Sequence, residues 1–149
     1  MFLLDSNVYI RGIREASFNA QIERFFRAHL PSVVMSAVVA SELLVGARTP
    51  TISRTLTRTF VDPFVARRRF LVPSWSAWQW ATEIDRGLRK QGKHRATLGQ
   101  RSFFHDMLIA STARETGATI VTFNTADFAL IAQHVDIDVV EPWPDGIAA

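Results

Sequence analysis

Four of the fourteen acidic residues stand where a solvated charge does not belong. Asp5 closes the apolar run Phe2-Leu3-Leu4, Glu42 lies inside AVVASELLVGA, Asp106 lies inside FFHDMLIA, and Asp127 opens a helical stretch just after TIVT. An ionised carboxylate among apolar neighbours needs a cation or hydrogen-bond donors, or its pKa rises until it is neutral. Each residue alone has an ordinary explanation: Asp5 can cap a turn, Asp127 can favour a helix N-terminus, and Glu42 can pair with an arginine. Four together suit a hard divalent cation, Mg²⁺ or Mn²⁺, which takes oxygen ligands and retains several waters. The absence of cysteine excludes disulfides, thiolate zinc sites and cysteine nucleophiles, so oxygen or imidazole must hold any metal.

The elements that would position these carboxylates can be read from the apolar pattern. FLLDSNVYI predicts a short buried strand ending at Asp5 and then a turn; SFNAQIERFFRAHL places Phe18, Ile22, Phe25 and Phe26 at helical spacing, with Pro31 marking the end. SVVM reads as a second buried strand, and Ser36 as the cap of a helix through AVVASELLVGA. A helical hairpin is expected from Thr49 to Arg69, then a strand at RFLVP, then a helix opened by the capping box Ser76-x-x-Gln79 that buries Ala77, Trp80, Ala81, Ile84 and Leu88. A basic loop, KQGKHRATLGQR, leads to the helix FFHDMLIASTARETG, which Gly117 stops; ATIVTFN is a strand, TADFALIAQHV a helix and IDVVEPW a last strand before a frayed tail. Strands alternating with helices imply a parallel sheet covered on both faces, an α/β sandwich. Ligands of such folds bind at the carboxyl ends of the strands, where Asp5 and Asp127 would lie and which Glu42 and Asp106 could reach from their helices.

At 149 residues the chain suits one domain spanning residues 1–149. Charges interrupt every apolar run before about 18 residues, so no membrane span is expected. MFLLDSNV has neither a basic region nor a small-residue cleavage site, which predicts a cytoplasmic protein. The net charge of +3 is unevenly distributed: residues 44–101 carry twelve bases against three acids, and residues 102–149 one base against seven acids. Arginine supplies fifteen of the seventeen bases, and its planar fork suits phosphate. Arg86, Arg89, Lys90, Lys93, Arg95 and Arg101 form an acid-free stretch ahead of Asp106, a candidate RNA-binding surface leading to the metal.

FLLDSNVYI, SAVVASELLVGA and FFHDMLIASTARETGATIVTFNTADF, in that order, resemble the three signature stretches of the PIN-domain family, particularly its VapC-like toxin branch. The resemblance covers the chain, and its most specific part is the last stretch. It implies a PIN-like three-layer α/β/α sandwich with a central parallel sheet, and metal-dependent cleavage of single-stranded RNA by Asp5, Glu42, Asp106 and Asp127. Asp5 and Asp106 would be the principal metal ligands, with Glu42 and Asp127 acting through water or as the base. Ser6 takes the place often held by threonine, and Ser6, Asn7, Thr122 and Asn124 would support the carboxylates. Phe123 stands where a polar or basic residue is common. The resemblance further implies a type II toxin with an antitoxin partner and a homodimer.

Other readings give way to this one. His105-Asp106 is similar to the dipeptide of HD phosphohydrolases, but His29, His94 and His134 do not supply the further ligands, so His105 is expected to be structural. Trp75 and Trp78 are expected in the core or an interface. A non-catalytic RNA- or partner-binding module would have no reason to keep four costly carboxylates. A structure-specific DNA nuclease would need extra elements to grip a duplex.

Overall fold

The computed structural model describes residues 1–143, and for Arg95 the backbone alone; the tail expected after the last strand lies outside the described residues. β1 (Phe2–Leu4) ends at Asp5, which is the N-cap of α1 (Ser6–Arg14), so a helix starts at once where the sequence suggested only a turn. The helix is short and holds Val8 and Tyr9, poor helix formers, so its stability comes from packing them into the core. Gly12 allows the close approach of α2 (Ala16–His29), since a Cβ there would run into Ile22 Cδ1. After a turn over Leu30–Ser32, β2 (Val33–Ser36) is buried throughout, and Ser36 caps α3 (Ala37–Val45) by accepting the Val38 N–H at 3.1 Å.

The hairpin expected over Thr49 to Arg69 is instead one helical run: α4 (Pro50–Leu56), a π-helical stretch over Thr57–Val61, and α5 (Asp62–Ala66). The widened turn lies just ahead of Pro63, which has no N–H to continue the regular ladder. After β3 (Phe70–Leu71), α6 (Trp75–Lys90) is capped by Ser74, whose Oγ accepts the Ala77 N–H at 3.1 Å; Ser76 lies inside the helix and does not cap it. Ala77, Ala81, Ile84 and Leu88 are buried as expected, whereas Trp80 is half-buried beneath the Arg114 guanidinium. The predicted basic loop contains a single turn, α7 (Arg95–Leu98), anchored by buried Leu98. α8 (Arg101–Thr116) ends at Gly117, whose φ of +66° is the left-handed conformation that favours glycine. β4 (Thr119–Val121), α9 (Thr125–Ile131) and β5 (Val139–Val140) complete the described chain.

The five strands form one parallel sheet in the order β3-β2-β1-β4-β5, with Leu3 opposite Val34 on one side and Ile120 on the other. The chain runs outward from β1 to β3 through α1 to α5 and back across to β4 and β5 through α6 to α9; with the right-handed crossovers that parallel strands take, the two sets of helices cover opposite faces, the three-layer α/β/α sandwich. Leu3, Leu4, Val33, Met35, Ile120 and Val121 of the strands share one core with Tyr9, Phe25, Met107, Ile109 and Phe128 of the helices. Among the described residues no helix is long and apolar enough to cross a membrane.

Candidate active site

The chain leaves β1 toward β2 and leaves β4 toward β5, in opposite directions across the sheet. The crevice at the carboxyl ends of β1 and β4 is therefore the topological switch point. Asp5 sits at its floor: its N–H donates to the Val121 carbonyl at 3.0 Å, and its side chain is 3% exposed. Oδ1 accepts the Ser6 N–H at 2.7 Å, while Oδ2 accepts Asn7 Nδ2 at 2.8 Å and the Thr122 hydroxyl at 2.7 Å. Burial pushes the Asp5 carboxyl up, the bonds from Thr122 and Ser6 draw it down, and the Glu42 charge raises it again.

Thr122 is the junction of this cluster. Besides donating to Asp5, its hydroxyl accepts Asn7 Nδ2 and the Asn124 N–H, each at 2.9 Å, and the Phe123 N–H reaches Asn7 Oδ1 at 3.3 Å. Asn124 carries the connection to the remaining acids, its Nδ2 donating to Asp127 Oδ2 at 2.9 Å and to Asp106 Oδ2 at 3.3 Å. Asp106, 7% exposed on α8, has its carboxyl pushed up to about 9 by burial and then by the charges of Asp5, Glu42 and Asp127. Asp106 on α8 thus feels the charges of Asp5 at the end of β1, Glu42 on α3 and Asp127 on α9, and Asp5 that of Glu42. Among the described residues none of the four has a lysine or arginine ion-pair partner.

Glu42 reaches the site from α3, half-buried, with Oε1 3.0 Å from His105 Nδ1. His105, expected from the sequence to be structural, joins the site through this contact. It is next to Asp106 on α8, and successive helical residues point about 100° apart, so Asp106 faces α9 while His105 faces α3; its adjacency to Asp106 was the available signal. Ser6, Ile10, Glu42, Gln100, Arg101 and His105 line a cleft of about 510 Å³ beside the carboxylates.

Of the basic residues singled out whose side chains are described, only Arg101 lines that cleft. Arg86 is ion-paired with Glu83 and Arg89 with Asp85, because the acids one helical turn earlier fall on the same face of α6, and Arg89 also donates to the Leu98 carbonyl. Lys90 and Lys93 are exposed and do not line the cleft, and the Arg95 side chain lies outside the described residues. Trp75 is 75% exposed and Trp78 is exposed beside Phe104, so neither belongs to the core.

The donor chemistry fits a divalent cation: four carboxylates, two of them buried, with no lysine or arginine paired to them among the described residues. Among the described residues, no three histidine or acidic side chains are already gathered as a ligand cage. An ion bound here would compete with the bonds from Asn7, Thr122, Asn124 and His105.

A sheet of this order with carboxylates at its switch point defines the class, and the sequence comparison gives the family. The PIN domain model matches residues 2–133, and the chain belongs to the PIN-domain family. No curated protein matches it. Among solved structures it is similar to a chain of FitAcB from Neisseria gonorrhoeae, with a TM-score of 0.70, 24% identity, and 97% of this chain and 99% of that one covered. It is also similar to a chain of DNA-bound VapBC from Salmonella typhimurium, with a TM-score of 0.70, 22% identity and coverage of 94% and 96%. A toxin–antitoxin complex from Klebsiella pneumoniae gives a TM-score of 0.57 at 24% identity, with 96% and 98% covered.

Proposed function

We propose that this PIN-domain protein is a metal-dependent endoribonuclease, the toxin of a type II toxin–antitoxin pair, acting as a single domain over residues 1–149. The observation that carries the reading is the convergence of Asp5, Glu42, Asp106 and Asp127 at the switch point of the sheet, where among the described residues none of them is ion-paired with a lysine or arginine. Like charges are costly to gather, and a site that gathers them has a use for a cation.

Asp5 and Asp106 would hold Mg²⁺ or Mn²⁺ most directly, with Glu42 and Asp127 completing the anionic wall. The ion, when bound, supplies Lewis-acid polarisation and offsets negative charge at a phosphodiester. The protein's own contribution is positional. Ser6, Asn7 and Thr122 fix the Asp5 carboxylate in one orientation, and Asn124 ties Asp106 to Asp127. Glu42, steadied by His105, is the group suited to accept a proton from an attacking water. Arg101, on the wall of the same cleft, is suited to a phosphate of the bound strand.

The likeness to chains solved as VapBC and toxin–antitoxin complexes supports a protein antitoxin as partner; a homodimeric toxin is part of the same proposal. The experiment is to incubate the purified protein with total cellular RNA and Mg²⁺ or Mn²⁺ and to map the new ends. New ends that vanish with chelator and with Asp5→Asn are expected. Their presence in the Asp5→Asn sample would remove this site from the reading, and cleavage of duplex DNA alone would replace the substrate.

A further inference from the structure

Phe123 is the one side chain of the Thr122-Phe123-Asn124 segment that takes no part in the carboxylate network, yet the backbone there is tightly held. Thr122 on one side bonds Asp5, Asn124 on the other bonds Asp106 and Asp127, and the Phe123 N–H itself donates to Asn7. The phenyl ring is thereby fixed at the lip of the site, and 38% of the residue remains exposed.

The ring is supported from within the protein. The Arg11 guanidinium lies 4.9 Å from its centroid and 4.7 Å from that of Phe18, and the two rings are 5.5 Å apart. Glu15 holds Arg11 in place through an ion pair at 3.1 Å, and Phe18 is itself stacked on Trp143 at 5.4 Å. A large apolar side chain left in water is usually a cost, and here several contacts hold it there. Arg11, its charge offset by Glu15, supports the ring through the cation–π contact.

We infer that Phe123, backed by Arg11 and Phe18, is a stacking platform for one nucleobase of single-stranded RNA next to the phosphodiester held at the carboxylates. This rests on the nuclease reading and deepens it by naming a specificity element. A pre-positioned ring loses little freedom when a base lies on it, and stacking tolerates any base while favouring an unpaired one. The platform therefore selects single strands over duplexes and fixes which linkage meets Asp5 and Asp106.

The test uses full-length protein, a short single-stranded RNA containing the mapped cleavage site, and the variants Phe123→Leu and Phe123→Trp. Leucine keeps apolar packing against Phe18 but has no π-face. Phe123→Leu is expected to raise KM about tenfold, with kcat within about twofold, and to blur the cut position. Phe123→Trp is expected to keep the KM and the cut position of the unmodified protein. Binding of the same RNA by Asp5→Asn protein, with and without Phe123→Leu, should show the same tenfold loss without turnover. Equal KM, affinity and cut position in the leucine variant, with normal melting, would overturn the platform while leaving the nuclease reading intact. So would an effect of Phe123→Leu confined to binding of a protein partner. If the unmodified protein neither cleaves nor binds RNA, the nuclease reading itself fails and the platform with it.

Discussion

Thr122 donates its hydroxyl proton to Asp5 at 2.7 Å across 117 positions of sequence, joining the ends of the two central strands where their connections part. Asp5 cannot turn away from the crevice while that bond and those from Ser6 and Asn7 hold it. Thr122→Val keeps the shape but removes the donor to Asp5 and the acceptor for Asn7 and Asn124. A loss of about 1–3 kcal/mol in chemical denaturation is expected, together with weaker Mg²⁺ or Mn²⁺ binding by titration. Unchanged stability and unchanged metal affinity would show that Thr122 does not organise Asp5.

Asp5→Asn and Asp106→Asn remove negative oxygen donors while conserving size. Each should lower RNA cleavage by at least about a hundredfold with the far-ultraviolet circular dichroism unchanged, since such ligands act on the chemistry. Cleavage within a few-fold of the unmodified protein by either variant would count against the assignment of that residue.

The ion-free protein holds the Asp106 carboxyl against burial and against three neighbouring charges. Asp106→Asn should therefore raise the melting temperature in chelator, contrary to the usual direction of a point change. A saturating divalent ion should stabilise the unmodified protein by about 2.7 kcal/mol at a hundredfold excess over Kd, and the variant much less. If the variant melts lower in chelator and metal shifts both proteins equally, Asp106 is a structural hydrogen-bonding residue.

The pH dependence of the ion-free protein follows from the same residue. Its folded-state pKa, about 9, lies above the ordinary value of 3.8, so between these limits the folded state binds more protons than the unfolded one. Stability then falls as pH rises through that window and is fullest below it. Urea titrations in chelator at pH 5 and pH 8 should show the lower midpoint at pH 8, with the difference reduced in Asp106→Asn. An equal or larger difference in the variant would place its origin elsewhere.

Among the basic residues, Arg101 lines the cleft beside Glu42 and His105, whereas Arg86 and Arg89 are ion-paired along α6. Arg101→Gln should weaken RNA binding and reduce the slope of log affinity against log salt by about 1. Arg86→Gln should change it less. The reverse ranking would move the RNA path from the cleft to α6.

Much of this was legible in the residues themselves. The buried strands at Leu3 and Val34, the cap at Ser36 and the stop at Gly117 follow from local rules, because burial period, side-chain capping and a left-handed φ act over a few positions. The anomaly of Asp5, Glu42, Asp106 and Asp127 was equally visible, since an acid in an apolar run is unusual whatever the fold. Local rules failed where packing chose among near-equal options. α1 forms from a segment that reads as a turn because Tyr9 and Val8 find the core, and Ser74 rather than Ser76 caps α6 because the chain enters the helix there. Only the tertiary structure decided that Thr122 meets Asp5, that Asn124 links Asp106 to Asp127, that His105 turns to Glu42 and that Arg101 lines the cleft while Arg86 and Arg89 do not. Those are contacts between elements far apart in sequence, fixed by strand order and helix crossing, and no spacing along a single segment carries them.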